Sequence, residues 1–193
     1  MKSEKRLKKL YDVLQSRQND ATIVLEDIHD PHNASAIFRT ADAVGISEVQ
    51  LVYKTEKFPR IGSKSSSSAN KWIEKRKHKS IESCYEFLRE NNYKIYATAL
   101  VEESTNYFDF DFTKPTAFVL GNEHRGVSDE ALKNADEVIK IPMMGMIQSL
   151  NVSVAAAILF YEMLRQRFLK NEYQKSKLSI EEFNNKFNEW KRK

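Results

Sequence analysis

Three short runs place polar side chains at bends between apolar stretches, where a chain can hold a small molecule. In residues 138–158, a β-rich run ends at Pro142, bends through Gly145 and passes at Ser149 into a helix whose first turn carries Asn151 and Ser153. Proline cannot extend a strand ladder and glycine reaches backbone angles closed to other residues, so the bend leaves peptide groups free to face a ligand. Ala155, Ala156 and Ala157 let that helix pack closely on a neighbour. The plainer alternative is an ordinary capped helix, the commoner use of such a start.

The second run is Gly121, Asn122, Glu123, His124, Arg125, Gly126, Val127 and Ser128, between a strand and a helix, where ligands bind in open α/β sheets. It has neither the lysine-serine ending of a P-loop nor the glycine spacing of a dinucleotide fingerprint, so nucleotide hydrolysis and ordinary dinucleotide binding lose support. Glu123 is placed to hold a hydrogen-bonded partner, with a salt bridge to Arg125 as the alternative, and His124 reads as a surface histidine. The third run spans 27–40. Asn33 is placed to cap a helix, with Arg39 nearly two turns further along roughly the same face; a cap and an unrelated helix arginine are the alternative. His29 and His32 lack a third ligand at a useful spacing, so no metal is expected.

These runs need elements to position them. The 193 residues suit one domain with short extensions: a basic helical extension at 1–19, a central domain at 20–169 and a helical extension at 170–193. The single cysteine, Cys84, excludes an internal disulfide framework. The charged amino terminus lacks the apolar stretch of a signal peptide and no run is long enough to span a bilayer, so a soluble cytoplasmic protein without a membrane partner is expected. The net charge of +4 is unevenly spread. Basic residues gather in 2–17, 54–79 and 165–170, while 81–140 carries about twice as many acids as bases, a pattern that favours a polyanion-binding face.

Leu7, Leu10, Tyr11 and Leu14 mark an opening amphipathic helix. Strands are expected at 22–25, 49–52, 94–100, 116–120 and 138–141, and helices at 33–44, around Ile81 to Leu88 behind the cap Ser80, at 128–134 and from 150 to about 169. Residues 54–71 read as a long serine-rich loop. Ser179 and Glu182 form a capping box before a stripe of Ile180, Phe183, Phe187 and Trp190, which packs back on the domain, against the opening helix, or meets a second chain. This alternation predicts an α/β fold: a mostly parallel sheet with helices on both faces.

Taken in order, the three runs resemble the motifs of the SpoU branch of the SPOUT RNA 2′-O-ribose methyltransferases. The first motif matches 33–40, the second 118–123 with Gly126, and the third 141–143 with 149–153; the likeness covers most of residues 20–168 and is closest to the members that act on guanosine 18 of tRNA. The resemblance implies S-adenosylmethionine as methyl donor, a ribose 2′-hydroxyl of tRNA as acceptor, a C-terminal deep trefoil knot and a homodimer with sites near its interface. General topology rules make knots rare, so periodicity alone would have given an ordinary doubly wound sheet.

The resemblance also implies site residues. Thr98, Leu120, Gly121, Asn122, Ile141 and Leu150 surround the donor, with Met143, Met144 and Met146 as adaptable walls. Arg39 is catalytic, organised with the target ribose by Asn33, Glu123, Ser149 and Asn151. A guanidinium stays protonated under nearly all conditions, which favours Arg39 gripping a phosphate and polarising the hydroxyl over acting as a literal base. Lys5, Arg6, Lys8, Lys9, Arg60, Lys64, Lys71, Arg165 and Arg167 then follow a tRNA backbone. The competing readings are the same chemistry on the tRNA wobble ribose or on ribosomal RNA, and a non-catalytic RNA-binding or ribosome-assembly protein of the same fold.

Overall fold

The structure is a computed structural model describing residues 3–55, 57–59 and 69–193. Seven parallel strands form one sheet in the order β3-β2-β1-β6-β4-β7-β5. These are β1 (Ala21–Glu26), β2 (Glu48–Val52), β3 (Glu74–His78), β4 (Lys94–Thr98), β5 (Thr105–Asn106), β6 (Thr116–Leu120) and β7 (Glu137–Lys140). The central pair, β1 and β6, runs in register from Ala21 opposite Thr116 to Leu25 opposite Leu120, and both strands are buried throughout. The described residues also form six α-helices: α1 (Glu4–Gln15), α2 (Pro31–Ala43), α3 (Ile81–Glu90), α4 (Asp129–Asn134), α5 (Val152–Leu169) and α6 (Ile180–Trp190).

Period-two alternation sends the strand side chains into two cores. Ile23, Leu25, Leu51, Phe118 and Leu120 pack on one face against Ile37 and Phe38 of α2 and Leu159, Phe160 and Met163 of α5. On the other face, Val24, Ile95, Ala117 and Val119 pack against Cys84, Tyr85 and Leu88 of α3 and Ala131 of α4. Helices therefore cover both faces, as the alternation predicts.

A third, smaller core joins the two ends of the chain. Leu10 and Leu14 of α1 meet Trp190 of α6, flanked by Trp72, Phe183 and Phe187, and Tyr11 meets the rings of Phe183 and Phe187 edge-on at 5.0 and 5.9 Å. The aromatic stripe is thus covered by the opening helix, and the Ser179–Glu182 capping box forms as read.

Outside the cavity described below, the structure departs from the sequence reading in four places. The edge strand β3, Glu-Lys-Arg-Lys-His, was not anticipated because it has no apolar alternation; an edge strand needs none, and lysines there discourage pairing with another chain. The two-residue β5, at the opposite edge, is too short to leave a pattern. Asp30 rather than Asn33 caps α2, accepting from the His32 amide with Pro31 at the first helical position, so Asn33 lies inside the first turn with its side chain free for other work.

The fourth concerns Arg167, which cannot follow a tRNA backbone because it is fully buried. Its guanidinium donates to the carbonyls of Phe112 at 2.9 Å and Lys114 at 2.8 Å and pairs with Asp20, which also holds Lys177. This cluster ties the end of α5 beneath the N-terminal ends of β1 and β6. Lys5, Arg6, Lys8, Lys9, Lys71 and Arg165 are exposed, Arg165 in an ion pair with Glu162; Arg60, Lys64 and most of the serine run lie outside the described residues.

Candidate active site

Chain segments leaving the C-terminal ends of β1, β4, β6 and β7 enclose a cavity of about 560 Å3. Its polar end is built around Glu123. One carboxylate oxygen accepts from the His29 amide at 2.9 Å; the other accepts from the Asp30 amide at 3.1 Å and from Nδ2 of Asn33 at 2.9 Å. Asn33 passes the chain on, its Oδ1 accepting from Nδ2 of Asn151 at 2.9 Å, while Oδ1 of Asn151 accepts from the amide and hydroxyl of Ser153. Asn151 therefore caps α5 and belongs to the site at once. All three sequence motifs meet in this one relay.

Burial works to raise the Glu123 pKa, but the bonds from Asn33, His29 and Asp30 outweigh it and hold the carboxyl below its ordinary value. Glu123 thus holds hydrogen-bonded partners, as expected, while Arg125, the alternative partner, lies 3.8 Å from Asp27. Asp27 anchors the loop after β1. It adopts a left-handed conformation, φ 51°, its carboxylate accepts from the amides of Lys54 and Thr55, and its carbonyl accepts from Nδ2 of Asn122 at 2.8 Å. Tyr53 braces the same loop by donating its hydroxyl to the Ile28 carbonyl, with its pKa raised by burial and by the nearby Glu123 and Asp27 carboxylates. Sequence reasoning missed Asp27, Tyr53 and the two amides on Glu123; the one signal was turn chemistry, an Asp followed by Asp-Pro.

The wall opposite is made by close backbone approach. A Cβ on Gly121 would sit 2.0 Å from the Gly126 carbonyl oxygen, so only glycine fits there, and Gly126 itself holds φ +73°. Asn122 closes the loop, its Oδ1 accepting from the amides of His124 and Arg125. Thr98 spends its hydroxyl on the Val119 carbonyl, leaving its apolar side to the cavity.

Of the residues expected at the site, Asn33, Thr98, Leu120, Gly121, Asn122, Glu123, Ile141, Ser149, Leu150 and Asn151 all line this cavity. Arg39 does not. It stands exposed on α2, six residues past Asn33, a spacing that carries it about 120° around the helix rather than onto the same face. Met143 lines the cavity, whereas Met144 and Met146 point into solvent at 94% and 99% exposure and are not walls of it.

The arrangement is an apolar slot with an ionised, hydrogen-bonded carboxylate and two amides at one end. Its size and its mix of apolar walls with few convergent polar groups match a small-molecule site. Thr98, Gly121, Ile141 and Leu150 line the slot, with Asn122 beside them.

The SpoU rRNA Methylase family matches residues 20–161 of the chain. A tRNA (guanosine(18)-2′-O)-methyltransferase of Thermus thermophilus is 44% identical over 192 residues, covering 100% of this chain and 98% of that protein. The solved TrmH/SpoU tRNA modifying enzyme of A. aeolicus superposes with a TM-score of 0.91 at 41% identity, covering 97% of this chain and 95% of that one. The SpoU methyltransferase AviRb of Streptomyces viridochromogenes, solved in complex with the cofactor AdoMet, gives a TM-score of 0.70 at 25% identity, covering 80% of this chain and 59% of that one.

Proposed function

The chain belongs to the SpoU rRNA Methylase family, and from that premise we propose that it transfers a methyl group from S-adenosylmethionine to the ribose 2′-oxygen of guanosine 18 in tRNA. The observation that carries this reading is the relay Glu123–Asn33–Asn151 at the polar end of the apolar slot. Relatives named for this reaction that match nearly the whole chain support the choice of nucleotide. The donor supplies an electrophilic methyl on a sulfonium; the protein must bring one hydroxyl oxygen in line with it and exclude water.

Glu123, held ionised, fixes Asn33, and Asn33 fixes Asn151, so the groups facing the ribose are set before substrate arrives. Arg39, exposed and without an ion pair among the described residues, is available to a tRNA phosphate and polarises the hydroxyl through it. Ser149 lines the same slot. A homodimer fits a surface on which the exposed Val154, Tyr161 and Phe168 repeat every seven residues along α5, and Met144, Met146 and Ile147 in the preceding segment are exposed as well.

A C-terminal trefoil knot fits the strand order: residues 99–115 travel out to β5 and back to β6, and the chain after β7 returns to pack α5 beside α2. No helix among the described residues is long and apolar enough to cross a membrane; the cytoplasm is the proposed place of work because the proposed substrate is tRNA. The exposed cations of α1, with Lys71 and Arg165, are assigned to the tRNA backbone.

The test is methyl transfer from labelled S-adenosylmethionine to unmodified tRNA transcripts, with nuclease mapping of the protected ribose. Label at guanosine 18 supports the proposal; label elsewhere moves the target, and no label with intact donor binding points to ribosomal RNA or to a non-catalytic role.

A further inference from the structure

A second cavity, of about 310 Å3, lies behind the loop that walls the first, and Asn122, Gly126 and Val127 line both. Its apolar lining comes from Val52, Ile81 and Val127. Glu26, at the end of β1, opens into it. That residue is 9% exposed; its Oε2 accepts from the Ser128 amide at 2.9 Å, while Oε1 has no hydrogen bond among the described residues and is not sealed from the cavity. A largely buried carboxylate with one oxygen open to a cavity and unused there is suited to a ligand that donates.

Lys54 and Arg125 stand in the same lining, Lys54 with a side chain 74% exposed and only a loose 3.9 Å pairing with Glu130. Apolar walls, one deep acceptor and cations beside it form a combination that rejects a phosphate, because Glu26, Asp27, Asp129 and Glu130 would repel it. It also disfavours a simple cation, which Lys54 and Arg125 would repel. It suits a planar base with ring N–H and amino donors on one edge and a carbonyl acceptor beside them, and that edge is guanine's. Adenine would turn the lone pair of its N1 toward the same carboxylate.

We propose that this second cavity receives the guanine base of the nucleotide being methylated, and that Oε1 of Glu26 accepts from its N1–H and 2-amino group. The inference rests on the function proposed above: the two cavities adjoin across Asn122, Gly126 and Val127, and the base of a nucleotide whose ribose stands at the Glu123 end of the first is taken to turn over that loop into the second. Glu26 is then a specificity-determining residue outside the three motifs, and guanine is chosen by an acceptor rather than by shape.

The experiment measures kcat/KM for three tRNAs identical except at position 18, bearing guanosine, inosine or adenosine, with the wild-type chain and Glu26→Gln. Inosine lacks only the 2-amino group. For the wild type the expected order is guanosine, then inosine lower by about tenfold, then adenosine lower by about 100-fold or more, because an unpaired buried acceptor penalises an analogue lacking its donor.

In Glu26→Gln the amide oxygen still accepts from Ser128 and turns the NH2 into the cavity. The guanosine rate should fall about 10- to 100-fold, the guanosine-to-inosine ratio should drop to about one, and adenosine should gain relative to guanosine. These ratios do not depend on the fraction of variant that folds. Wild type indifferent to guanosine against inosine, or Glu26→Gln keeping the wild-type ratios, overturns the proposal while methylation itself stands. Methylation of no tRNA by the wild type overturns the parent reading, and this one with it.

Discussion

The two ends of the parallel sheet both carry a hydrogen-bonded polar cluster, and the clusters differ in what they leave open. Beneath the N-terminal ends of β1 and β6, Arg167 is buried with its donors satisfied by Asp20, Gln18 and the carbonyls of Phe112 and Lys114. At the C-terminal ends, Glu123 is ringed by donors from His29, Asp30 and Asn33, yet the relay borders a cavity and Arg39 nearby has no partner among the described residues. A closed cluster ties elements together. An open one keeps directed groups for a ligand and forgoes some stability to do so.

The largest effect should come from opening the closed end. Arg167→Ala leaves Asp20 and three carbonyls, that of Phe112 buried, short of a donor, which costs about 3–5 kcal/mol, near the low end because Lys177 still holds Asp20. Chemical denaturation should show that loss, with donor affinity and turnover of the folded fraction unchanged. A selective loss of tRNA binding in a stable Arg167→Ala protein would instead return this arginine to the RNA surface.

Arg39→Ala is the mirror experiment. It removes an exposed, unpaired side chain, so stability should move by no more than about 0.5 kcal/mol, while methyl transfer should fall about 100- to 1,000-fold if the guanidinium stabilises the developing charge. Arg39→Lys at near-normal turnover would break the phosphate-gripping account, because a point charge cannot reproduce a bidentate fork. The comparison thus separates two arginines by which measurement moves, melting or turnover.

Sequence could not separate them. Arg39 and Arg167 both sit in helices beside apolar residues, and only the three-dimensional position of Asp20 decides that one is sealed. What was legible was local: strands of β-branched residues, the cap at Ser80, the capping box at Ser179, and the glycines of the 121–126 loop. What was not legible depended on neighbours distant in the chain. The insertion of β6 between β1 and β4, the pairing of β3 to β2 and the amides that ring Glu123 all come from segments many residues away. Nor did the spacing of Asn33 and Arg39 survive: a shared helix does not make a shared face.

A smaller effect distinguishes the ends by pH. The Glu123 pKa is lowered on folding, because donors from Asn33, His29 and Asp30 outweigh the burial that would raise it. A carboxylate with a depressed folded pKa contributes its full stabilisation above its ordinary value of 4.5 and loses it as pH falls from there through the lowered folded value. Wild-type melting should therefore drop through that acid window. Glu123→Gln should flatten the drop, and an unchanged acid limb in the variant would mean that other carboxylates carry it.

The smallest single effects belong to the exposed lysines of α1, which neither cluster uses. Lys5, Lys8 and Lys9 are exposed on the helix that covers the C-terminal aromatic stripe. If each neutralises one tRNA phosphate, replacing any one by alanine should weaken binding evenly across tRNAs and reduce the slope of log affinity against log salt by about one. Neither melting temperature nor donor affinity should change, since α1 is held by Leu10 and Leu14 on the face that meets α6. Titrating fluorescent tRNA at several salt concentrations reads the slope directly. A wild-type slope near zero would mean that the basic clusters are merely solvated surface, and tRNA would then have to be held at the C-terminal end of the sheet alone.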